Sequence, residues 1–195
     1  MGIAKGRKFL EKQNLADYIY QIRDGAVRTY KRLSDGRRQI GAFHLRGDIL
    51  GVENGEVHRF TAEAIVNTTV WIAKSQSLFA GLAKADIPAA NHVRDLITRT
   101  LEHMENHLLL LGRQTALEKV ASFLLEIDHR LQQPKVMVLP MGRRDIADYL
   151  GLTLETVSRS LSTLRDEGIL SVGTKQGRQI VLHDRSLLAQ RATSV

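Results

Sequence analysis

The clearest structural signal in the sequence is carried by residues 143–168, Arg143-Arg-Asp-Ile-Ala-Asp-Tyr-Leu-Gly-Leu-Thr-Leu-Glu-Thr-Val-Ser-Arg-Ser-Leu-Ser-Thr-Leu-Arg-Asp-Glu-Gly168. Apolar residues follow a helical spacing on both sides of Gly151, and glycine commonly ends a helix by adopting a left-handed conformation. Thr153 is a suitable N-cap for a second helix, and Gly168 is a suitable terminator. The stretch therefore predicts two helices joined by a tight turn, the second running from about Leu154 to Glu167.

The second helix has two different faces. Its apolar residues fall at i, i+4 and i+7, which predicts that Val157, Leu161 and Leu164 face a core. Short polar residues occupy the opposite stripe, at Glu155, Ser158, Arg159 and Ser162. A helix-turn-helix inserts such a stripe into the major groove of DNA, which is about 12 Å wide.

Each side chain at the start of this stripe suits a contact with a base. Arg159 can donate two hydrogen bonds to guanine, and Glu155 can accept one from cytosine or adenine. Ser158 can bond a base or a phosphate, and Leu154 can contact a thymine methyl group. Taken alone, a glutamate and an arginine four residues apart are more often a surface ion pair. The flanking turn, caps and buried residues favour DNA, so we predict that these four residues contact bases.

A short hairpin follows the second helix. The β-like runs Ile169–Val172 and Arg178–Leu182 flank a glycine-bounded turn, which is typical of the wing of a winged helix. Polar residues at the helix starts and along this wing are candidate phosphate contacts. They are Arg143, Thr153, Ser162, Lys175 and Arg178.

Residues 86–112 are predicted to form a long helix. Large apolar residues recur there with spacings of 4-3-4-3, at Ile97, Leu101, Met104, Leu108 and Leu111. Such a two-heptad seam pairs helices. The alternative is that this face packs on its own domain, but a helix-turn-helix protein that binds DNA as a pair requires two copies. We therefore predict a homodimer through these five residues.

The N-terminal residues alternate strand-like runs with glycine turns. Examples are Tyr18–Ile22, Ala26–Tyr30 and Thr68–Ala73, and Asp24-Gly25 favours a hairpin between the first two. Closely spaced turns predict a small antiparallel sandwich, roll or barrel. The predicted fold class is α+β, with four segments: an antiparallel, cupin-like β-roll over 1–85, a dimerisation helix over 86–112, a connecting helix over 113–134 and a winged helix-turn-helix over 135–195.

Composition limits the class of protein. The chain has 195 residues, of which 43% are hydrophobic and 25% charged, so it is an ordered globular protein. A net charge of +7 is compatible with a polyanionic partner and also with an ordinary basic enzyme. The absence of cysteine excludes disulfides, thiolate zinc sites and cysteine-held iron–sulfur clusters. With no apolar run long enough for a membrane span, we expect a cytoplasmic protein with no membrane association.

Other candidate sites carry less weight. His103 and His107 have a spacing that can hold a metal, but no third ligand is evident, so we expect them to be solvated or at the dimer interface. Glu53, Glu56 and His58 form a second weak cluster. No nucleophile elbow, phosphate loop or dinucleotide fingerprint occurs. We predict no enzyme activity, no catalytic residue, no metal and no cofactor.

The segment Arg143–Arg159 resembles the helix-turn-helix of the CRP/FNR superfamily, and Glu155-Thr-Val-Ser158-Arg159 resembles its FNR/FixK branch. The N-terminal part is similar to the β-roll of that branch, at Asp35–Ile40, Ala42–His44, Gly47-Asp48, Gly51 and Phe60–Ala64. The resemblance implies a transcription activator in which Glu155, Ser158 and Arg159 contact a TTGA-type half-site of a pseudo-palindromic repeat in double-stranded DNA. It also implies that the long helix is the dimer stem and that the roll contacts RNA polymerase.

Several departures qualify the resemblance. Cyclic-nucleotide binders of the superfamily hold the phosphate with an Arg-Ser pair, where this chain has Val57-His-Arg-Phe-Thr61. The FNR-type oxygen sensors use cysteines, which are absent here. The segment Lys5–Phe9 lies near the start of the chain, so the expected roll is N-terminally short, and Gly142 replaces the usual Ser or Thr cap. We therefore expect a FixK-like activator that needs no obligatory ligand. The alternatives are a sensor whose DNA binding depends on an effector in the roll, and an interaction module that contacts only protein.

Overall fold

The computed structural model describes residues 1–53, 56–76, 87–113, 115–133, 136–173 and 178–193. The chain divides into two compact units, Met1–Glu105 and Asn106–Val195. The division falls within the long helix, so the last residues of that helix, from Asn106 onward, belong to the C-terminal unit. The four segments proposed from the sequence divide the chain by expected role, whereas these two units divide it by internal packing. The bounds of the four segments therefore stay a prediction.

The described part of the N-terminal unit contains eight strands in two four-stranded antiparallel sheets. The first sheet has the order β1-β8-β3-β6 and the second β2-β7-β4-β5. The strands are β1 (Gly2–Ile3), β2 (Lys8–Leu10), β3 (Tyr18–Asp24), β4 (Val27–Arg32), β5 (Arg38–His44), β6 (Ile49–Leu50), β7 (Thr61–Ala64) and β8 (Thr68–Lys74). Their inward residues form one core that includes Ile22, Val27 and Val70, each at most 1% exposed. This is the antiparallel roll that the turn pattern predicts.

The expected hairpin at Asp24-Gly25 is wrong. Strand β3 pairs with β8 and β6, whereas β4 pairs with β5 and β7, so this turn carries the chain from one sheet to the other. Gly25 has φ +95°, and a Cβ at this position would lie 2.7 Å from the Cα of Thr68. The hairpin in this region instead joins β4 and β5, whose connecting turn contains Gly36 at φ +83°.

We expect Gly25→Ala to destabilise the roll by about 1–3 kcal/mol, because the substitution combines a left-handed conformation with a collision against backbone. Gly36→Ala is the matched control, since Gly36 also has a positive φ but a Cβ there meets nothing within 4 Å. Urea unfolding of both variants measures the difference. Equal losses of stability in the two variants would show that the close approach at Thr68 has no energetic consequence.

Five helices lie wholly within the described ranges: α1 (Ile87–Leu111), α2 (Ala116–Leu131), α3 (Arg143–Leu150), α4 (Leu154–Asp166) and α5 (Arg185–Ala192). Strands β9 (Met137–Val138), β10 (Leu170–Val172) and β11 (Gln179–Leu182) form an antiparallel sheet with the order β10-β11-β9. None of the described helices is long and apolar enough to cross a membrane. Roll, long helix and winged helix-turn-helix thus confirm the predicted α+β class.

The C-terminal unit has a core around α2. A capping box starts this helix, because Thr115 Oγ1 accepts from the Glu118 backbone N–H and the Glu118 carboxylate accepts from the Thr115 N–H. Phe123 is fully buried, and α2 packs against α5. Arg185 of α5 donates to both carboxylate oxygens of Asp128, at 2.8 and 3.0 Å. Helix α2 also packs against α4, the second helix of the helix-turn-helix.

Candidate DNA-contacting site

The turn between α3 and α4 forms as its residue types dictate. Gly151 ends α3 in the left-handed conformation, at φ +66°, and its N–H donates to the Ala147 carbonyl. Thr153 caps α4, because its Oγ1 accepts from the Thr156 N–H at 3.1 Å. At the other end of α3, Gly142 is the N-cap and its N–H donates to Asp145 Oδ2 at 3.4 Å. The predicted helix-turn-helix is therefore present, and α4 ends one residue before the predicted limit.

The inner face of α4 is buried as predicted. Val157, Leu161 and Leu164 are each at most 3% exposed, and α4 packs against α3. Gly168, at φ +74°, follows the end of the helix, and the Ile169 N–H donates back to the Leu164 carbonyl at 3.0 Å. Burial of this whole face fixes which residues of α4 point to solvent.

The opposite stripe of α4 is accessible. Glu155 and Arg159 are exposed, whereas Leu154, Ser158 and Ser162 are half-buried. Each of these residues lies three or four positions from another of them, so they share one side of the helix. The helix thus presents the predicted base-contacting residues together on its outer side.

The Glu155 carboxylate is an acceptor at neutral pH. Its pKa is lowered from the usual value, mainly by a hydrogen bond from its own backbone N–H and then by one involving the Thr153 side chain. Burial opposes this lowering of the pKa, and the positive charges of Arg144 and Arg159 make smaller contributions that lower it. An ionised carboxylate can accept from the amino group of a base but cannot donate to one.

Arg143 makes a contact that the sequence did not indicate. Its Nη1 donates to Ser158 Oγ at 3.3 Å, which links the start of α3 to the middle of α4. No local signal could have found this pair, because the two residues are 15 positions apart. The Ser158 hydroxyl keeps its hydrogen for a further bond, since it accepts from the guanidinium.

The other candidate phosphate contacts lie around α4. Thr153 is exposed, Ser162 is half-buried, and Arg178 is half-buried directly before β11, the second strand of the wing. The Arg178 carbonyl accepts from the Leu139 N–H at 2.9 Å, so its backbone is held in the wing. Lys175 lies outside the described residues.

The apolar seam of α1 is accessible in the single chain. Exposure rises from 43% at Ile97 to 55% at Leu101 and Met104 and 72% at Leu108, while Leu111 is half-buried. Leucine and methionine rarely form such a contiguous exposed row on an isolated monomer.

The expectation of a solvated or interfacial pair of histidines is wrong for His107. This side chain is only 9% exposed and stacks on the ring of Tyr149, with centroids 3.8 Å apart and an interplanar angle of 6°. Its Nε2 lies 2.9 Å from the Tyr149 carbonyl oxygen. His103 is half-buried, one turn earlier in α1. The heptad pattern indicated where His107 lies around α1 relative to the apolar seam. It could not identify a contact with a residue 42 positions away in the sequence.

The roll holds a buried histidine in the segment that departs from the nucleotide-binding pattern. His58 is 4% exposed, and its Nδ1 lies 3.7 Å from Glu53 Oε1. The pKa of His58 is lowered by burial, against smaller opposing effects of Glu53 and Asp17. Within the described ranges, no group of three or more His, Asp or Glu side chains is arranged to hold a metal ion.

Comparison with known proteins agrees with this geometry. Residues 118–191 match the family model of the Crp-like helix-turn-helix domain, and residues 3–85 match that of the cyclic nucleotide-binding domain. The nitrogen fixation regulation protein FixK of Rhizobium meliloti is 41% identical over 170 residues, covering 86% of this chain and 75% of FixK. The transcriptional activatory protein AadR of Rhodopseudomonas palustris is 40% identical, covering 83% of this chain and 69% of AadR.

A solved structure extends the match to the whole fold. FixK2 from Bradyrhizobium japonicum superimposes with a TM-score of 0.90 and 50% identity, covering 100% of this chain and 97% of that one. These relatives are regulators and not enzymes. The chain therefore belongs to the CRP/FNR family of DNA-binding transcription regulators, among its FixK-like members.

Proposed function

We propose that this regulator binds a pseudo-palindromic, TTGA-type inverted repeat as a homodimer, using Glu155, Ser158 and Arg159 of α4. One observation carries the proposal: Glu155 and Arg159 stand exposed on a helix whose opposite face is buried. Leu154, at the first position of α4, would add a contact with a thymine methyl group. Such an arrangement supports insertion of α4 into the major groove without disturbing the core.

Charge supports the division between bases and phosphates. Arg159 can donate two parallel bonds to guanine, and Glu155, being ionised, can accept from the cytosine or adenine amino group. The partners proposed for phosphates are Arg143, Thr153, Ser162, Lys175 and Arg178. Phosphate contacts fix orientation on the duplex but carry no direct sequence information.

The seam of α1 supports the homodimer. Its exposed apolar residues repeat with the heptad spacing, so a second copy would cover Leu101, Met104 and Leu108 together. Ile97 and Leu111 extend the same row at its two ends. Two recognition helices about 34 Å apart then enter successive major grooves, which is why the operator is expected to be pseudo-palindromic.

The chemistry of the roll supports DNA binding without an obligatory ligand. His58 lies within the segment Val57–Thr61, which replaces the phosphate-holding pair of nucleotide binders, and Glu53 Oε1 is 3.7 Å from its imidazole Nδ1. A carboxylate at that position repels an anionic phosphate. The match of residues 3–85 to the cyclic nucleotide-binding domain reflects a shared roll. It also keeps an effector-dependent sensor as the second candidate.

The two candidates differ in one binding experiment. We expect the purified protein without added ligand to bind a TTGA-type inverted repeat with a Kd on the order of 10⁻⁸ M or tighter at physiological salt, at least about a thousandfold better than a scrambled duplex. Fluorescence anisotropy measures both affinities. Cyclic AMP or cyclic GMP at millimolar concentration should leave the Kd unchanged. A requirement for either nucleotide would establish the effector-dependent sensor instead.

We further propose that the chain activates transcription in the cytoplasm through contact with RNA polymerase. The similarity to the activatory protein AadR supports this direction of regulation. Transcription by purified polymerase from a promoter with the operator upstream tests it. Stimulation that disappears when the operator is scrambled is expected, whereas unchanged transcription would contradict it.

A further inference from the structure

The last turn of α1 holds the helix-turn-helix through His107. The imidazole lies parallel to the Tyr149 ring, and its Nε2 is 2.9 Å from the Tyr149 carbonyl oxygen. A carbonyl can only accept, so Nε2 is the protonated nitrogen and donates. Both residues belong to the C-terminal unit.

The bonded carbonyl is placed at a sensitive point of the motif. Tyr149 is the second-to-last residue of α3, where carbonyls lie beyond the regular i to i+4 pattern and are open to side-chain donors. After Leu150, the last residue of α3, Gly151 and Leu152 form the turn that leads into α4, and the N–H groups of both donate to the Ala147 carbonyl. His107 therefore hydrogen-bonds to the helix-turn-helix directly beside its turn.

A second ring contact connects the His107–Tyr149 pair to α2. The Tyr149 ring also meets the ring of Phe123, at a centroid distance of 5.7 Å and an angle of 58°. Tyr149 is 4% exposed and Phe123 is fully buried. The three rings join α1, α2 and α3, so the last turn of α1 cannot shift without disturbing a buried cluster.

The same turn of α1 carries part of the proposed dimer seam. Leu108 follows His107 directly, and Leu111 lies one turn later. The Cδ2 of Leu111 is already 4.0 Å from the position that a Cβ on Gly151 would take. The C-terminal unit thus contains two of the five seam residues, Leu108 and Leu111, together with the His107 contact and the recognition helix α4.

We propose that His107 is a positioning residue that sets the spacing between the two half-sites of the operator. This inference rests on the proposed homodimer. Leu108 and Leu111 fix the unit to the two-fold axis, and His107 fixes the helix-turn-helix to the same turn of helix. One base pair of spacer moves a half-site by about 3.4 Å and rotates it by about 35°. If His107 fixes the helix-turn-helix firmly to α1, the dimer therefore fits only one spacing between half-sites.

The test uses operators whose half-sites are separated by the preferred spacer, by one base pair fewer and by one base pair more. Two variants remove the interactions of His107 with Tyr149 to different degrees. His107→Ala removes both the ring stack and the hydrogen-bond donor, whereas His107→Phe keeps an aromatic ring for the stack but removes the donor. His92→Ala is the matched control, because it removes an exposed histidine from the same helix. Competition binding gives the relative affinities, and thermal melting with sedimentation confirms that each variant is a folded dimer.

We expect the discrimination between spacings to fall by about five- to tenfold in both variants, the size of a lost buried hydrogen bond. Base preference within each half-site should stay as in the parent, and His92→Ala should keep the parental spacing profile. If folded dimers of His107→Phe discriminated between the spacings as well as the parent does, the positioning role of His107 would be overturned. The proposed homodimer would be unaffected by that result. If the parent protein itself showed no preference for paired half-sites, the proposed homodimer would fail, and the inference with it.

Discussion

Replacement of both Leu101 and Leu108 by glutamate is expected to give a folded monomer that has lost at least about a hundredfold in operator affinity. These side chains are 55% and 72% exposed in the single chain, so their loss leaves its own core intact. In the dimer, each glutamate would face an apolar seam and its own copy across the two-fold axis, which combines desolvation with like-charge repulsion. The two half-sites would then be bound independently, without the gain in effective concentration that linkage provides.

Light scattering reports the oligomeric state of this double variant, and anisotropy reports its operator affinity. Asn106→Glu is a suitable control, because it places the same charge on an exposed residue of the same helix away from the seam. The control should stay dimeric and bind normally. A double variant that remained dimeric would show that the seam packs elsewhere, as in the alternative in which α1 covers its own domain.

Arg159→Ala should have the second-largest effect. We expect a loss of about 1–3 kcal/mol for each half-site and a relaxed preference at one base pair of the TTGA-type sequence. The reason is that a bidentate guanidinium contact distinguishes guanine from the other bases, and alanine offers no replacement. Binding to random DNA should change much less, because phosphate contacts dominate that mode.

Operators with single substitutions at each position measure the base preference of the variant. Arg165→Ala is the matched control, since Arg165 is an exposed arginine of α4 that pairs with Asp166 at 2.8 Å. It should leave specificity intact. If Arg159→Ala kept the full parental preference at every position, Arg159 would not be a base-contacting residue.

The predictable parts of the fold are those that depend on local chemistry. The bounds of α4 follow from Thr153 as a cap and Gly168 as a terminator, both of which act within a few residues. The two faces of the same helix follow from its period, so the burial of Val157 and the exposure of Arg159 could be predicted together. Periodicity also placed the apolar seam on α1.

The unpredicted parts depend on contacts distant in sequence. The Asp24-Gly25 pair marks a tight turn, but it does not determine whether the strands on either side pair with each other. In this fold, the twist and packing of two sheets give them other partners. The contact of His107 with Tyr149 joins residues 42 positions apart, so it depends on how α1 packs against α3. No spacing rule along α1 contains that information.

We propose above all that the buried face of α4 holds the helix so that its outer stripe meets the edges of bases. Selection of bound sequences from a random DNA pool, with the purified protein and no added ligand, tests it most directly. We predict enrichment of an inverted repeat whose two TTGA-type half-sites lie about one helical turn apart, centre to centre. A selected pool with no shared motif, or with a single unpaired half-site, would contradict the account.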